Sequence, residues 1–194
     1  MIKASSSDKA LVIDILARAF DANPSVNYIV RQDGRREKRI RSLMDYSFEL
    51  CQAFGAVYLS ADRKGCALVL LPEKKKTTIR TLMLDLRLVV GVTGLRRVGK
   101  ILAREAKIKK GYPQLPFYYL WFLGVAPEQQ GRGIGSMLLQ DIIEESRQLQ
   151  RPVYLETSLA SNIGFYRRWG FEVYREILFD QPLYCMRRPI TLIG

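Results

Sequence analysis

The chain has 194 residues, 48% of them hydrophobic, with 31 Lys or Arg against 19 Asp or Glu and no histidine. That size and apolar content build one well-packed domain or two very small ones and exclude collagen-like, low-complexity and repeat architectures. The missing histidine removes histidine-based nucleophile arrangements and most metal sites. Residues 8–20 (DKALVIDILARAF) repeat apolar side chains at helical spacing, with Asp8 as the expected N-cap. Residues 35–54 form a second helical stretch with Gly55 past its end. AVYLSADRKGCALVLLPE reads as a hairpin, strand 56–61 turning through Asp62–Gly65 into strand 66–71, ended by Pro72. Residues 77–110 read as two amphipathic helices broken around Gly91–Gly94. Gly111, Pro113 and Pro116 then interrupt the chain. Phe117–Val125 is a long strand, 134–149 a helix and Val153–Thr157 a strand. Ser161–Trp169 is a short helix stopped by Gly170, and Phe171–Phe179 and Tyr184–Arg187 are the closing strands. No linker divides the series, so the expected fold is one α/β domain with mixed strand directions over 1–194.

The longest apolar run, Phe117–Ala126, is about half the roughly 20 residues a membrane-spanning helix needs. The start, MIKASSSDKALV, lacks the apolar core of a signal peptide. Cys51, Cys66 and Cys185 are far apart, odd in number and without CxxC spacing, which predicts reduced thiols. These features predict a soluble, cytoplasmic protein without a membrane span. The net charge of +12 is concentrated: residues 74–110 hold twelve Lys or Arg against only Asp85 and Glu105. Such a segment is a solvated face, or else it meets an anionic substrate, a coenzyme, nucleic acid or an acidic membrane surface. Nucleic acid calls for stacking aromatics among the cations, and 74–110 has none.

The stretch QQGRGIGS, ending at Ser136, places three glycines between a strand and a helix. Unpaired N–H groups at a helix start, together with the helix dipole, bind anions, and glycines admit phosphate oxygens close to the backbone. A P-loop requires Lys followed by Ser or Thr after the last glycine, which Ile134-Gly135-Ser136 lacks. The dinucleotide fingerprint requires glycine where Ser136 stands. A methyl-transfer fold needs further βα units, and only 38 residues follow Glu156.

Gln130-x-x-Gly133-x-Gly135, preceded by Leu123-Gly124-Val125-Ala126-Pro127, resembles the acyl-CoA loop of the GCN5-related N-acetyltransferase (GNAT) superfamily. A second block agrees: Tyr154-Leu155-Glu156-Thr157, then Asn162, Tyr166 and Gly170-Phe171. The specific resemblance covers about residues 117–188. It implies a single GNAT-like α/β domain whose central sheet is mixed, mostly antiparallel and splayed between its fourth and fifth strands, flanked by helices. Residues 74–112, longer than the family minimum, stand out as a basic helical elaboration.

The resemblance further implies acetyl-CoA as co-substrate and no metal. Its pyrophosphate would lie on the amides of Gln130, Gly131, Arg132, Gly133, Ile134, Gly135 and Ser136, and its pantetheine along Leu123, Gly124 and Val125. Tyr166 matches the family's general acid to the departing thiolate. Asn162 is expected to bond the pantetheine or cap its own helix. Glu156, ending the fifth strand, is a candidate base for the attacking amine. By strand alternation Tyr119 and Trp121 share one face and Tyr118 and Leu120 the other, and the three aromatics are expected in the core. The acceptor is expected to be a small-molecule or peptide amine, and the cationic helices are expected to favour acceptors bearing carboxylate or phosphate. A protein that binds acyl-CoA without catalysis, or nucleic acid through 74–110, is the competing expectation.

Overall fold

A computed structural model of the chain describes residues 1–190; the last four residues of the expected 1–194 domain lie outside the described residues. Seven strands form one sheet: β1 (Ile2–Lys3), β2 (Gly55–Leu59), β3 (Gly65–Leu70), β4 (Tyr118–Val125), β5 (Val153–Thr157), β6 (Glu172–Leu178) and β7 (Pro182–Arg188). Their spatial order is β1-β2-β3-β4-β5-β7-β6, with β4 and β5 parallel and every other pair antiparallel. The helices are α1 (Lys9–Ala19), α2 (Pro24–Ile29), α3 (Arg36–Phe54), α4 (Ile79–Leu88), α5 (Val98–Lys109), α6 (Ile134–Gln148) and α7 (Ser161–Arg167). This is the expected single α/β domain. None of its helices is long and apolar enough to cross a membrane among the described residues.

One face of the sheet is covered by α1 and α3, whose Val12, Leu16, Met44 and Phe48 pack with Val57, Leu68 and Phe122. The other is covered by α6 and α7, with Leu139, Ile142 and Tyr166 against Ala67, Leu120 and Leu155. Tyr118 and Leu120 join this second core, while Tyr119 and Trp121 lie against the first. Beyond Trp121 the alternation inverts. Leu68 pairs with Phe122 but Val69 with Leu120, so Trp121 is the extra residue of a β-bulge and Phe122 turns to the same side. Period-two reading cannot foresee such a residue.

The helix starts carry two departures. Asp8 does not cap α1 by accepting from its amides. Its carboxylate accepts instead from the Ser5 amide at 2.8 Å and from Arg63, closing a 3-10 turn ahead of the helix. The Asn23-Pro24 pair starts α2, where Asn23 Oδ1 accepts from the Ser25 and Val26 amides. Gly170 (φ +80°) does stop α7. The Phe171 amide donates to the Tyr166 carbonyl and that of Gly170 to Arg167.

Gly55 ends α3, but not as a left-handed cap; its φ is −169°. It is glycine because β3 runs against it: a Cβ there would lie 2.1 Å from the Val69 carbonyl oxygen. Gly55→Ala is therefore expected to destabilise the fold by about 2–4 kcal/mol, as backbone must move to relieve the clash. Chemical denaturation of the two proteins checks it.

The basic segment folds as α4, a π-helical turn at Val89–Thr93, Gly94 at φ +75°, a 3-10 turn and α5. Arg39 fastens it by donating to the Gly91 carbonyl at 2.6 Å, and Arg97 by donating to that of Val30 at 3.0 Å. Ile108 of α5 packs onto Ile177, Leu183 and Cys185 of the β6–β7 hairpin. Cys51 (α3), Cys66 (β3) and Cys185 (β7) are each 0% exposed and free, their thiols raised by burial.

Candidate active site

The glycine loop lies between the end of β4 and the start of α6. Gly131 and Gly133 adopt φ of +78° and +82°, and a Cβ on either would meet nothing within 4 Å. Packing does not require these glycines; the left-handed backbone does, and the space above them is open. The six consecutive amides of residues 131–136 have no main-chain acceptor among the described residues, the first helical bond being Met137 N–H to the Gly133 carbonyl. The Gln130 side chain donates to the Val125 carbonyl at 3.3 Å and ties the loop to the strand. Ile134 is buried and anchors the helix start against Gly65, where a Cβ would lie 2.7 Å from its Cγ2. Arg132 is exposed, and Gly135 and Ser136 are half-exposed. Bare backbone, unpaired N–H groups and the positive end of a 15-residue helix fit a diphosphate.

Beside this loop the sheet opens. β4 and β5 pair only through Tyr118–Val153 and Tyr119–Tyr154 and then diverge. Leu120–Val125 thus have no strand partner on that side, and neither do Leu155–Thr157. A cavity of about 130 Å³ occupies the gap, lined by Leu123, Glu156, Asn162 and Tyr166 among others. Gly124 faces away from it: a Cβ there would lie 2.8 Å from Leu16 Cδ2, so this glycine admits α1.

Tyr166 is 9% exposed, packs on Phe171 and has no hydrogen-bond partner for its hydroxyl among the described residues. Burial pushes its pKa up to about 12. Asn162 does not cap α7. It sits one residue inside the helix and donates to Thr157 Oγ1 at 3.2 Å, bracing the turn after β5.

Glu156 is enclosed. Tyr119 Oη donates to its Oε2 at 2.6 Å, while its Oε1 is buried without a partner. Desolvation raises its pKa from the ordinary 4.5 to about 7, with the Tyr119 and Tyr112 hydroxyls and Arg104 opposing the rise. The same burial, with the Glu156 charge adding to it, holds Tyr119 well above the usual tyrosine range.

A second cavity of about 650 Å³ adjoins the first, with Arg104, Ile108, Tyr119 and Trp121 in both walls. Tyr46, Tyr112 and Phe117 add aromatic rings to a largely apolar wall, with Glu73, Glu105, Lys75 and Lys109 among its charged residues. Sequence reading missed Tyr112 and Arg104 as site residues. Arg104 turns inward from α5, with its guanidinium over the Tyr28 and Phe179 rings and one N–H on Ser25 Oγ at 3.0 Å. Burial lowers its pKa. Of the cations of residues 74–110, Lys75, Arg104 and Lys109 line this cavity, but Arg96, Arg97 and Lys100 do not. Arg97 is spent on main-chain carbonyls, Lys100 pairs with Asp180 at 3.0 Å and Arg96 is exposed.

Comparison with known proteins agrees with this geometry. The family model described as an acetyltransferase (GNAT) domain matches residues 87–173. A histone acetyltransferase HPA2 and related acetyltransferase from Corynebacterium glutamicum superposes with a TM-score of 0.74 at 21% identity, over 98% of this chain and 96% of that one. Arylalkylamine N-acetyltransferase 2 from Aedes aegypti gives 0.64 at 18% identity, over 97% of each chain. The ribosomal-protein-S18-alanine N-acetyltransferase of Escherichia coli gives 0.51 at 15%, over 99% and 94%. In sequence, 84 residues are 30% identical to a probable serine/threonine-protein kinase of Dictyostelium discoideum, covering 43% of this chain and only 9% of that protein. Residues 87–173 thus match a GNAT acetyltransferase domain, and the chain as a whole has the fold of these acetyltransferases.

Proposed function

We propose that the protein is an N-acetyltransferase that moves the acetyl group of acetyl-CoA to a primary amine by direct attack on the thioester. The observation that carries this reading is the run of loop amides at residues 131–136 without a main-chain acceptor among the described residues, at the end of the strand that parts from β5. The diphosphate of the coenzyme would rest on residues 130–136 and its pantetheine would take the strand-pairing positions along Leu123–Val125. Asn162 would hold it through the side-chain atoms not engaged by Thr157. The amine enters from the aromatic cavity beside Glu156, whose carboxylate takes the ammonium proton. The amine nitrogen then bonds to the carbonyl carbon, and a β4 main-chain N–H holds the oxygen. The carbon–sulfur bond breaks, Tyr166 donates its proton to the departing thiolate, and the remaining extra proton on the nitrogen passes to the tyrosinate, leaving a neutral amide and a neutral thiol. Tyrosine at about 12 is a weaker acid than an ordinary thiol, but the enclosure that raises Tyr166 raises a thiolate beside it as well.

An acceptor cavity walled by Tyr46, Tyr112, Phe117 and Trp121 favours an amine with an apolar body over the anionic acceptor expected from the charge of 74–110. We read residues 1–194 as one acyl-CoA N-acyltransferase domain with 74–112 as its elaboration, working without a metal in the cytoplasm, where buried free thiols persist. The test is thermal unfolding with acetyl-CoA. Ligand at about 100 Kd stabilises by about 2.7 kcal/mol, a rise of roughly 5 °C for a domain of this size. Gly133→Glu should abolish the rise by placing bulk and negative charge on the loop, whereas Gly133→Ala carries the same backbone strain and should keep part of it. No rise for the wild-type protein at millimolar acetyl-CoA overturns the proposal.

A further inference from the structure

Helix α4 is apolar on two opposite sides. Thr81 and Leu84 are buried and Leu88 packs on the core beneath. Away from the core, Ile79, Leu82, Met83, Leu86 and Val90 are 75, 56, 58, 62 and 63% exposed. At about 100° per residue these five fall on one stripe centred opposite the buried side. Leu95, 76% exposed, follows just past Gly94. An uncovered apolar row of this length is unusual on a folded monomer and marks an interaction surface.

The charge around the stripe is of one sign. Exposed Lys74, Lys75 and Lys76 precede it, Arg87 and the Glu49-paired Arg80 flank it, and exposed Arg96 follows it. The nearby carboxylates are engaged elsewhere: Asp85 accepts from Tyr46 Oη at 2.7 Å, Glu49 pairs with Lys9 and Arg80, and Glu73 pairs with Arg151. We propose that this face of α4 docks on an anionic lipid bilayer, with the five apolar side chains entering the headgroup boundary and the cations meeting lipid phosphates. A second copy of the chain is the poorer occupant. Self-pairing of the stripe would bring both sets of cations together, and the carboxylates that could neutralise them are already used.

The experiment is co-sedimentation of the full chain with vesicles of phosphatidylcholine alone and of phosphatidylcholine mixed with phosphatidylglycerol. The expected result is binding to the mixed vesicles at low salt, weakened roughly tenfold by high salt or by leaving out the anionic lipid. Leu82→Glu with Leu86→Glu alters only exposed side chains, so it should abolish binding at an unchanged melting temperature. Lys74→Glu with Arg87→Glu should weaken it and flatten its salt dependence. Three results overturn the proposal. The chain fails to sediment with anionic vesicles, or the leucine variant still sediments, or the wild type has twice the chain's mass in solution and the leucine variant halves it. The last result assigns the stripe to a second copy.

Discussion

Replacing Glu156 by Gln is expected to lower kcat/KM by roughly 10²-fold and to remove the acid limb of its pH profile. With the wild-type protein, kcat/KM should climb through a midpoint near pH 7, set by the carboxylate's raised pKa, and then level. An aliphatic amine titrates near pH 10, so its own limb lies well above. The stability effect has the opposite sense. A folded pKa of about 7 against an ordinary 4.5 means that the folded state holds the proton more tightly between those values. Stability from this group is therefore full below about pH 4.5 and falls as pH rises through 7. The glutamine variant is spared that loss and should be the more stable protein at pH 8, by roughly 3 kcal/mol if the whole shift is realised. A variant that is slower yet keeps the limb near pH 7 places the base elsewhere.

Tyr166→Phe should leave acetyl-CoA binding intact and lower kcat by roughly 10²-fold under conditions where chemistry limits the rate. Its fold should not weaken. The hydroxyl has no partner among the described residues, so its removal strands no buried donor or acceptor there, and the ring still packs on Phe171. A melting temperature equal to or above that of the wild type, together with the loss of turnover, separates a proton donor from a packing residue. Unchanged kcat with an amine that turns over would return Tyr166 to the core alone.

How much of this site was legible in the sequence depended on sequence distance. The glycine loop and the Asn162–Tyr166 pair each lie within one strand–helix unit, so their spacing carries their geometry. The Tyr119–Glu156 bond does not. It joins residues 37 positions apart and depends on how far β4 and β5 stay paired before they part. Arg104 was misplaced for a related reason. Helical periodicity puts it on the cationic side of α5, either solvated or facing an anion, but the Tyr28 and Phe179 rings offer its guanidinium a partly buried seat. The apolar face of α4 shows the reverse error. Periodicity marked the helix as amphipathic and implied a covered side, whereas its exposed stripe is as apolar as its buried one. In the fold, the missed elements were short: two residues of β1 and six of α2 give no measurable period, although Asn23-Pro24 was a readable helix start. The bulge at Trp121 leaves no trace in composition.

The three buried cysteines make the native protein silent toward thiol reagents, since a reagent needs both access and thiolate. A colour change in a turnover assay therefore counts only the sulfhydryl set free from the coenzyme. The same silence makes each cysteine a clock for opening. Cys51 and Cys66 lie on one side of the β4–β5 gap and Cys185 on the other. If the three label at one common rate, the domain unfolds as a unit. If Cys185 labels first, the seam left by only two strand pairs is where it comes apart.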